Sequence, residues 1–261
     1  MAGNTVIQIT DLHFGATVGA TLAGVNPVDS FNAVLDALDK NGHAEDILLL
    51  SGDLSGGSYA NSYRILNQLL RDRNKKVIWL PGNHDDLELM KRHLSDYPIQ
   101  LTSYFGDWAV VTLDSSQFGT PSGYVNNEKL SNLEKRLTAL TDRSVLIAMH
   151  HCPIPLGSYW LDKQRINNSE DLYKILSSRD NVRGVVTGHV HQQFDGFWGD
   201  FPLFTTPSSC VQFKQYSNEF AISQDPPGYR WLSLEANGYI RTGVEIITGF
   251  DQCPDTNSTG Y

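Results

Sequence analysis

Eight residues able to bind metal or phosphate fall at five separate places: Asp11 and His13, Asp53, Asn83 and His84, His150, and His189 and His191. Each place follows a mostly apolar stretch that reads as a strand (residues 6–9, 47–50, 77–80, 145–149 and 182–187), and each stretch reaches its first candidate within three residues. A lone Asp or His at a strand end is a cap or a solvated residue at least as often as a ligand. Five in succession, over the 180 positions from 11 to 191, point to a common cause. In open α/β sheets the carboxyl ends of parallel strands gather on one edge, so groups this distant in sequence can meet in one crevice.

The donors are carboxylate, amide oxygen and imidazole, with no sulfur. That set suits iron, manganese, cobalt or zinc in a reactive site and argues against a structural zinc. His84 is awkwardly placed to be a ligand beside Asn83, which leaves seven: Asp11, His13, Asp53, Asn83, His150, His189 and His191. Seven exceed what one ion takes once positions stay open for water and substrate, whereas two divalent ions sharing a bridging carboxylate need about that number. Gly52, Gly82 and Gly188 precede three of the ligand positions, as expected where the chain turns sharply into a crowded site.

The elements that must position these residues alternate. Ser30 is expected to cap a helix bearing Phe31, Val34, Leu35 and Leu38, stopped at Asn41-Gly42; further helical faces are Tyr59/Tyr63/Leu66/Leu70, Leu130/Leu133/Leu137/Leu140 and Leu172/Ile175/Leu176. Residues 108–113 read as one more strand, and from about Phe194 the pattern is strand-only, at 203–205, 210–213, 230–234 and 239–245. The expectation is an α/β fold of mixed sheets covered by helices. No linker or repeat divides it, so residues 1–261 are expected to form a single domain, strand-rich from about 194.

Composition excludes several classes. With 40% hydrophobic and 19% charged residues the chain is an ordinary globular one, and its net charge of -9 opposes DNA, RNA and acidic membrane surfaces as partners. The longest apolar run, residues 145–149, is far too short to span a bilayer. Residues 1–10 show no secretory signal, so the cytoplasm is the expected compartment, and Cys152, Cys210 and Cys253 are expected as free thiols. The cluster Arg71 to Lys76 reads as a solvated turn, His43 and His93 as surface residues, Asp114 and Asp195 as turn or cap residues, and His151 as a support for its neighbour rather than a ligand.

Asp11-Leu12-His13, Gly52-Asp53, Gly82-Asn83-His84-Asp85, His150 and Gly188-His189-Val190-His191 resemble, in order and spacing, the signature of the calcineurin-like metallophosphoesterases. His150-His151, Ser158 to Asp162, Thr206 to Lys214, Pro227 to Arg230 and the tail Pro254 to Tyr261 further resemble bacterial class III 3′,5′-cyclic AMP phosphodiesterases, a similarity running from about Val6 to Tyr261. Cys152 departs from it, standing where close relatives often have a third consecutive His, and the N-terminus is short. The resemblance implies a four-layer α/β/β/α sandwich of two mixed sheets, with a dinuclear site at the C-terminal strand edge. It implies Asp11, His13, Asp53 and His191 on one metal, and Asp53, Asn83, His150 and His189 on the other. Asp53 would bridge, and His13, Asp53, Asn83, His84 and His191 would lie against the substrate phosphate.

By the same resemblance the reaction is hydrolysis of 3′,5′-cyclic AMP to 5′-AMP, controlling the intracellular cyclic nucleotide, with Fe2+ or Mn2+ the expected ions and Zn2+ or Co2+ alternatives. Two bridged metals lower the pKa of a shared water so that hydroxide attacks in line. His84, oriented by Asp85, is the candidate to stabilise the transition state or protonate the leaving 3′-oxygen; Asp53, His84 and Asp85 are thus the catalytic candidates. Four metal charges less Asp11, Asp53 and one hydroxide leave a site near about +1, which tilts toward diester monoanions over monoester dianions. Tyr159, Trp160, Phe213 and Tyr216 are candidates to stack on the base. A broader diesterase acting on 2′,3′-cyclic nucleotides or glycerophosphodiesters is the alternative, a non-catalytic scaffold the third reading, and a homodimer is allowed for.

Overall fold

The computed structural model describes residues 4–44, 46–117 and 119–260. Met1 to Gly3, within the segment read for a signal, and Tyr261, the end of the tail motif, lie outside the described residues. The strands are β1 (Asn4–Ile9), β2 (Ile47–Ser51), β3 (Lys76–Leu80), β4 (Thr102–Phe105), β5 (Trp108–Leu113), β6 (Ser144–Met149), β7 (Val182–Thr187), β8 (Phe194–Trp198), β9 (Phe201–Thr205), β10 (Gln212–Phe213), β11 (Ile222–Ser223), β12 (Gly228–Leu234) and β13 (Ile240–Ile246). The helices are α1 (Pro27–Lys40), α2 (Ala60–Asp72), α3 (Leu87–His93), α4 (Asn127–Thr138), α5 (Tyr159–Asp162) and α6 (Ser169–Ser177).

Two mixed sheets result. The first has the order β13-β12-β1-β2-β3, with β1, β2 and β3 parallel and β12 and β13 antiparallel. The second runs β4-β5-β6-β7-β9-β8, with β5, β6, β7 and β9 parallel between antiparallel edges. Because side chains alternate across a strand, each run supplies two cores. Ile7, Ile9, Leu48 and Leu50 pack under α1 and α2, whereas Val6 and Leu49 face Leu146, Ala148 and Val186 of the second sheet. On its other face that sheet presents Val145, Ile147 and Met149 to Leu133, Leu137, Leu172 and Leu176 of α4 and α6. Helices, sheet, sheet and helices thus make the four layers expected.

Some local expectations change. Asn26, not Ser30, caps α1: its side chain accepts from the Val28 and Asp29 amides at 2.9 and 3.2 Å, with Pro27 preset at the first helical position. Ser30 lies inside the helix and donates to the Ser209 carbonyl at 2.6 Å. Asp195 is no turn residue but lies within β8, paired with buried Arg230 at 2.8 Å; although burial opposes it, that guanidinium holds the carboxyl below its usual range. Lys75, in the cluster read as solvated, is buried against Asp39 at 2.7 Å. His43 and His93 do lie at the surface, partly exposed. Asp114 does form a turn, accepting from the Ser116 amide at 2.9 Å. The three cysteines are free, and among the described residues no helix is long and apolar enough to cross a membrane.

Candidate metal centre

The candidates leave the carboxyl ends of β1, β2, β3, β6 and β7, so both sheets contribute to one edge. Ladder-like bonds continue past the strands and hold the loops in register. Asp11 N donates to Gly52 O (3.0 Å), His13 N to Asp53 O (2.9 Å) and Gly188 N to His150 O (3.0 Å). Asp11, His13, Asp53, His189 and His191 all have positive φ, between 49 and 70°. Left-handed backbone costs a residue with a Cβ about 1–2 kcal/mol, and such conformations collect where function requires a particular side-chain direction.

The side chains converge. His191 Nε2 is 3.3 Å from Asp11 Oδ1 and 3.2 Å from His13 Nε2; His150 Nε2 is 3.2 Å from Asp53 Oδ2, which is itself 3.8 Å from His13 Nε2. Asp53 Oδ2 therefore stands between the His13 side of the cluster and the His150 side, as a bridging carboxylate must. The His150 and His189 ring centroids are 5.1 Å apart. Protein carbonyls hold the far nitrogens of two rings: His150 Nδ1 meets Ser51 O at 2.9 Å and His191 Nδ1 meets Val211 O at 2.6 Å, which turns Nε2 inward in both.

The residues fit a metal pair. Among the described residues Asn83 Oδ1 and His189 Nε2 are buried without a hydrogen-bond partner, and Asp11 Oδ1 and His150 Nε2 meet only charged groups of the cluster itself, an arrangement that costs free energy unless a cation binds there. Burial, with the other histidines adding to it, pushes the His13 and His189 pKa down to about 3, so both rings are neutral at pH 7. Burial would raise Asp11, but His191 and His150 outweigh it and hold the carboxyl at about 2; Asp53 is likewise held low, by His150 and His84. Burial opposes a charge on His150 too, yet the carboxylates of Asp53 and Asp11 push its pKa up to about 9.

Residues 5–193 match the sequence profile of the calcineurin-like phosphoesterases. The chain belongs to that family. Of its relatives, the 3′,5′-cyclic adenosine monophosphate phosphodiesterase CpdA of Escherichia coli is 35% identical over 259 residues, covering 98% of this chain and 94% of its own. A 3′,5′-cyclic-nucleotide phosphodiesterase of Nostoc sp. is 34% identical, covering 93% and 92%. Among solved structures, a dimetal phosphatase from Danio rerio superposes with a TM-score of 0.63 at 14% identity, covering 95% of this chain and 100% of that one, which bears on the fold alone.

Within this calcineurin-like phosphoesterase, His84 packs edge-on against His13 with centroids 5.1 Å apart, and its amide donates to Asp53 Oδ1 at 2.9 Å. Asp85 corrects an expectation, because its carboxylate does not orient His84. Oδ2 accepts from the Leu54 and Gly82 amides at 3.1 and 3.0 Å, and Oδ1 accepts from the Ser55 amide at 3.0 Å and from the Tyr63 hydroxyl at 2.9 Å. It ties the loop after β2 to the loop after β3. Burial, then the charge of Asp53, pushes its pKa up to about 6 against those donors. His151 has Ser115 Oγ 2.8 Å from Nδ1 and Pro121 O 3.2 Å from Nε2, and with His150 and His189 it forms a further group whose donor atoms could hold an ion.

Of the rings considered for stacking on a base, Phe213 is buried against His191, whereas Tyr159 and Tyr216 are 59 and 77% exposed. Sequence reasoning passed over a polar layer beneath the centre. Gln8 donates to Ser51 Oγ at 2.7 Å and to Thr187 O at 3.0 Å and accepts from Thr206 Oγ1, joining β1, β2, β7 and the 206–213 segment. Ser208 Oγ donates to Asp11 O at 2.8 Å. The available signal was a glutamine among the apolar residues 6, 7 and 9.

Proposed function

We propose that the chain hydrolyses 3′,5′-cyclic AMP to 5′-AMP at this centre. The observation that carries the reading is the combination, in one chain, of near full-length similarity to enzymes named for that reaction and a buried donor set suited to two cations. Asp11, His13, Asp53 and His191 would hold one ion and Asp53, Asn83, His150 and His189 the other. When bound, such a pair supplies an activated water and neutralises developing phosphoryl charge. Fe2+ or Mn2+ suits these nitrogen and oxygen donors, with Zn2+ or Co2+ as alternatives.

The protein's own contribution is preorganisation. The carbonyls of Ser51 and Val211 fix the tautomers of His150 and His191, and the two-loop tie through Asp85 keeps Asp53 and His84 in place. His13, Asp53, Asn83, His84 and His191 would line the phosphate, and His84 would deliver a proton to the departing 3′-oxygen. Residues 1–261 are read as one catalytic domain working in the cytoplasm, as a monomer or a homodimer. Protein stripped of metal and reloaded with Fe(II), Mn(II), Zn(II) or Co(II) is assayed on 3′,5′-cyclic AMP, 2′,3′-cyclic AMP, a glycerophosphodiester and a monoester. The expected best substrate is 3′,5′-cyclic AMP; ranking it among the poorest under every metal would overturn the proposal.

A further inference from the structure

We propose that Phe213 is a positioning residue for the metal centre, setting the plane of the His191 imidazole by ring stacking. This rests on the reading of His191 as a metal ligand. The two rings lie nearly parallel, with centroids 4.0 Å apart and an interplanar angle of 15°. The hydrogen bond from Nδ1 to the Val211 carbonyl fixes one point of the imidazole and its tautomer, but leaves rotation about the bond direction unconstrained. A flat face against the ring removes that freedom. His191 needs it removed, because Nε2 has to face Asp11 Oδ1 at 3.3 Å and His13 Nε2 at 3.2 Å simultaneously.

Phe213 is itself fixed. It is 2% exposed, met edge-on by Trp160 with centroids 5.0 Å apart at 76° and by Phe220 at 5.6 Å and 67°, while Trp160 and Phe220 also meet each other at 5.2 Å. The backbone holding it is the β10–β11 hairpin, where Phe213 pairs with Ile222 and Lys214 N donates to Ala221 O at 2.8 Å. Val211 and Phe213 are two residues apart in one extended segment, so a single stretch of chain supplies both the carbonyl and the ring that clamp His191. Burial leaves Phe213 no open face for a nucleobase, and its chemistry is spent on the histidine.

The test separates positioning from packing. Phe213→Leu keeps an apolar side chain of similar bulk and removes the flat face, whereas Phe213→Tyr keeps the ring. Mn(II) binding is followed by electron paramagnetic resonance of the free ion, with thermal melting and the proton shift of the His191 ring as further readouts. The expected result is that Phe213→Leu weakens one of two Mn(II) sites by ~10–100-fold and moves the His191 ring resonance, while Phe213→Tyr stays within about threefold of the parent protein. Mn(II) affinity and a His191 shift unchanged in Phe213→Leu would overturn the proposal. Should Phe213→Leu not fold, Phe213→Met takes its place under the same criteria. His191→Ala identifies the level that fails: if it keeps both Mn(II) sites, His191 is no ligand; if it loses one while Phe213→Leu loses none, the ligand reading stands and the positioning role is wrong.

Discussion

Gly82→Ala is the substitution whose effect follows most directly from the geometry. Gly82 has no positive φ, so an alanine there meets no backbone penalty and any effect is steric. An added Cβ would lie 2.5 Å from Asp53 N and 2.8 Å from Asp53 Cγ, and closer still to Asp53 Oδ1, where real Cβ contacts stay beyond 3.0 Å. The loop or the carboxylate must therefore retreat by at least half an ångström at the residue placed between the two halves of the centre. Misplacement of about 1 Å near reacting groups costs ~10²-fold in rate, and overpacking costs ~1–3 kcal/mol. The expectation is cyclic AMP turnover lowered by roughly 10–100-fold at saturating Mn(II), with a melting temperature lower by ~2–12 °C. Gly19→Ala is the control, since its Cβ would meet nothing within 4 Å. Turnover within twofold of the parent enzyme in Gly82→Ala, with both metals bound, would refute the placement of Asp53.

Four further outcomes are expected. Asp85→Asn leaves one oxygen for donors arriving from two loops, and its better orientation still strands the Ser55 amide, so stability falls by ~1–3 kcal/mol in urea titration and turnover falls with it; an unchanged midpoint would show that the tie is dispensable. Because His150 titrates at about 9 in the metal-free protein while His13 and His189 are already neutral at pH 7, metal binding should release about one proton below pH 9 and tighten as pH rises toward it; calorimetry in buffers of different ionisation enthalpy measures this, and zero release at pH 7 would contradict it. Metal-free protein runs the other way, since a raised histidine pKa gives stability present below about pH 6.5 and lost as pH climbs through 9. Finally, Cys253 is exposed, while burial pushes the Cys152 thiol up to about 12 and raises Cys210 as well, so one thiol per native chain should react quickly with a disulfide reagent; three fast thiols would count against the described burial.

The sequence made the fold legible where one physical signal dominated. The strand at 108–113 lies where its apolar run places it, since burial on both faces leaves nothing else for such a run to be, and 182–187 follows it although Arg183 is exposed. Helix α3 and strand β4 were not legible. The first is seven residues long with one buried side chain, Met90, and the second is an edge strand carrying an exposed tyrosine, so neither offers a sustained periodicity. Six of the expected ligands come together because each stands just past a strand end, where order along the chain translates into position along an edge. The partners of Asp85 were hidden because they come from three segments, Leu54 and Ser55, Tyr63, and Gly82; adjacency in sequence suggested His84 instead. The stack of Phe213 on His191 joins residues whose proximity depends on the chain returning through β9, and no local pattern records that.

The central claim, that paired metal sites in this chain hydrolyse a cyclic nucleotide, is tested most directly by following 3′,5′-cyclic AMP turnover as metal-free protein is titrated with Mn(II), with bound metal per chain measured at each point. The expected result is negligible turnover up to one equivalent, a rise to saturation as the second site fills, and 5′-AMP as the product. Full turnover with one ion or none bound, or no hydrolysis of 3′,5′-cyclic AMP with two, would contradict it.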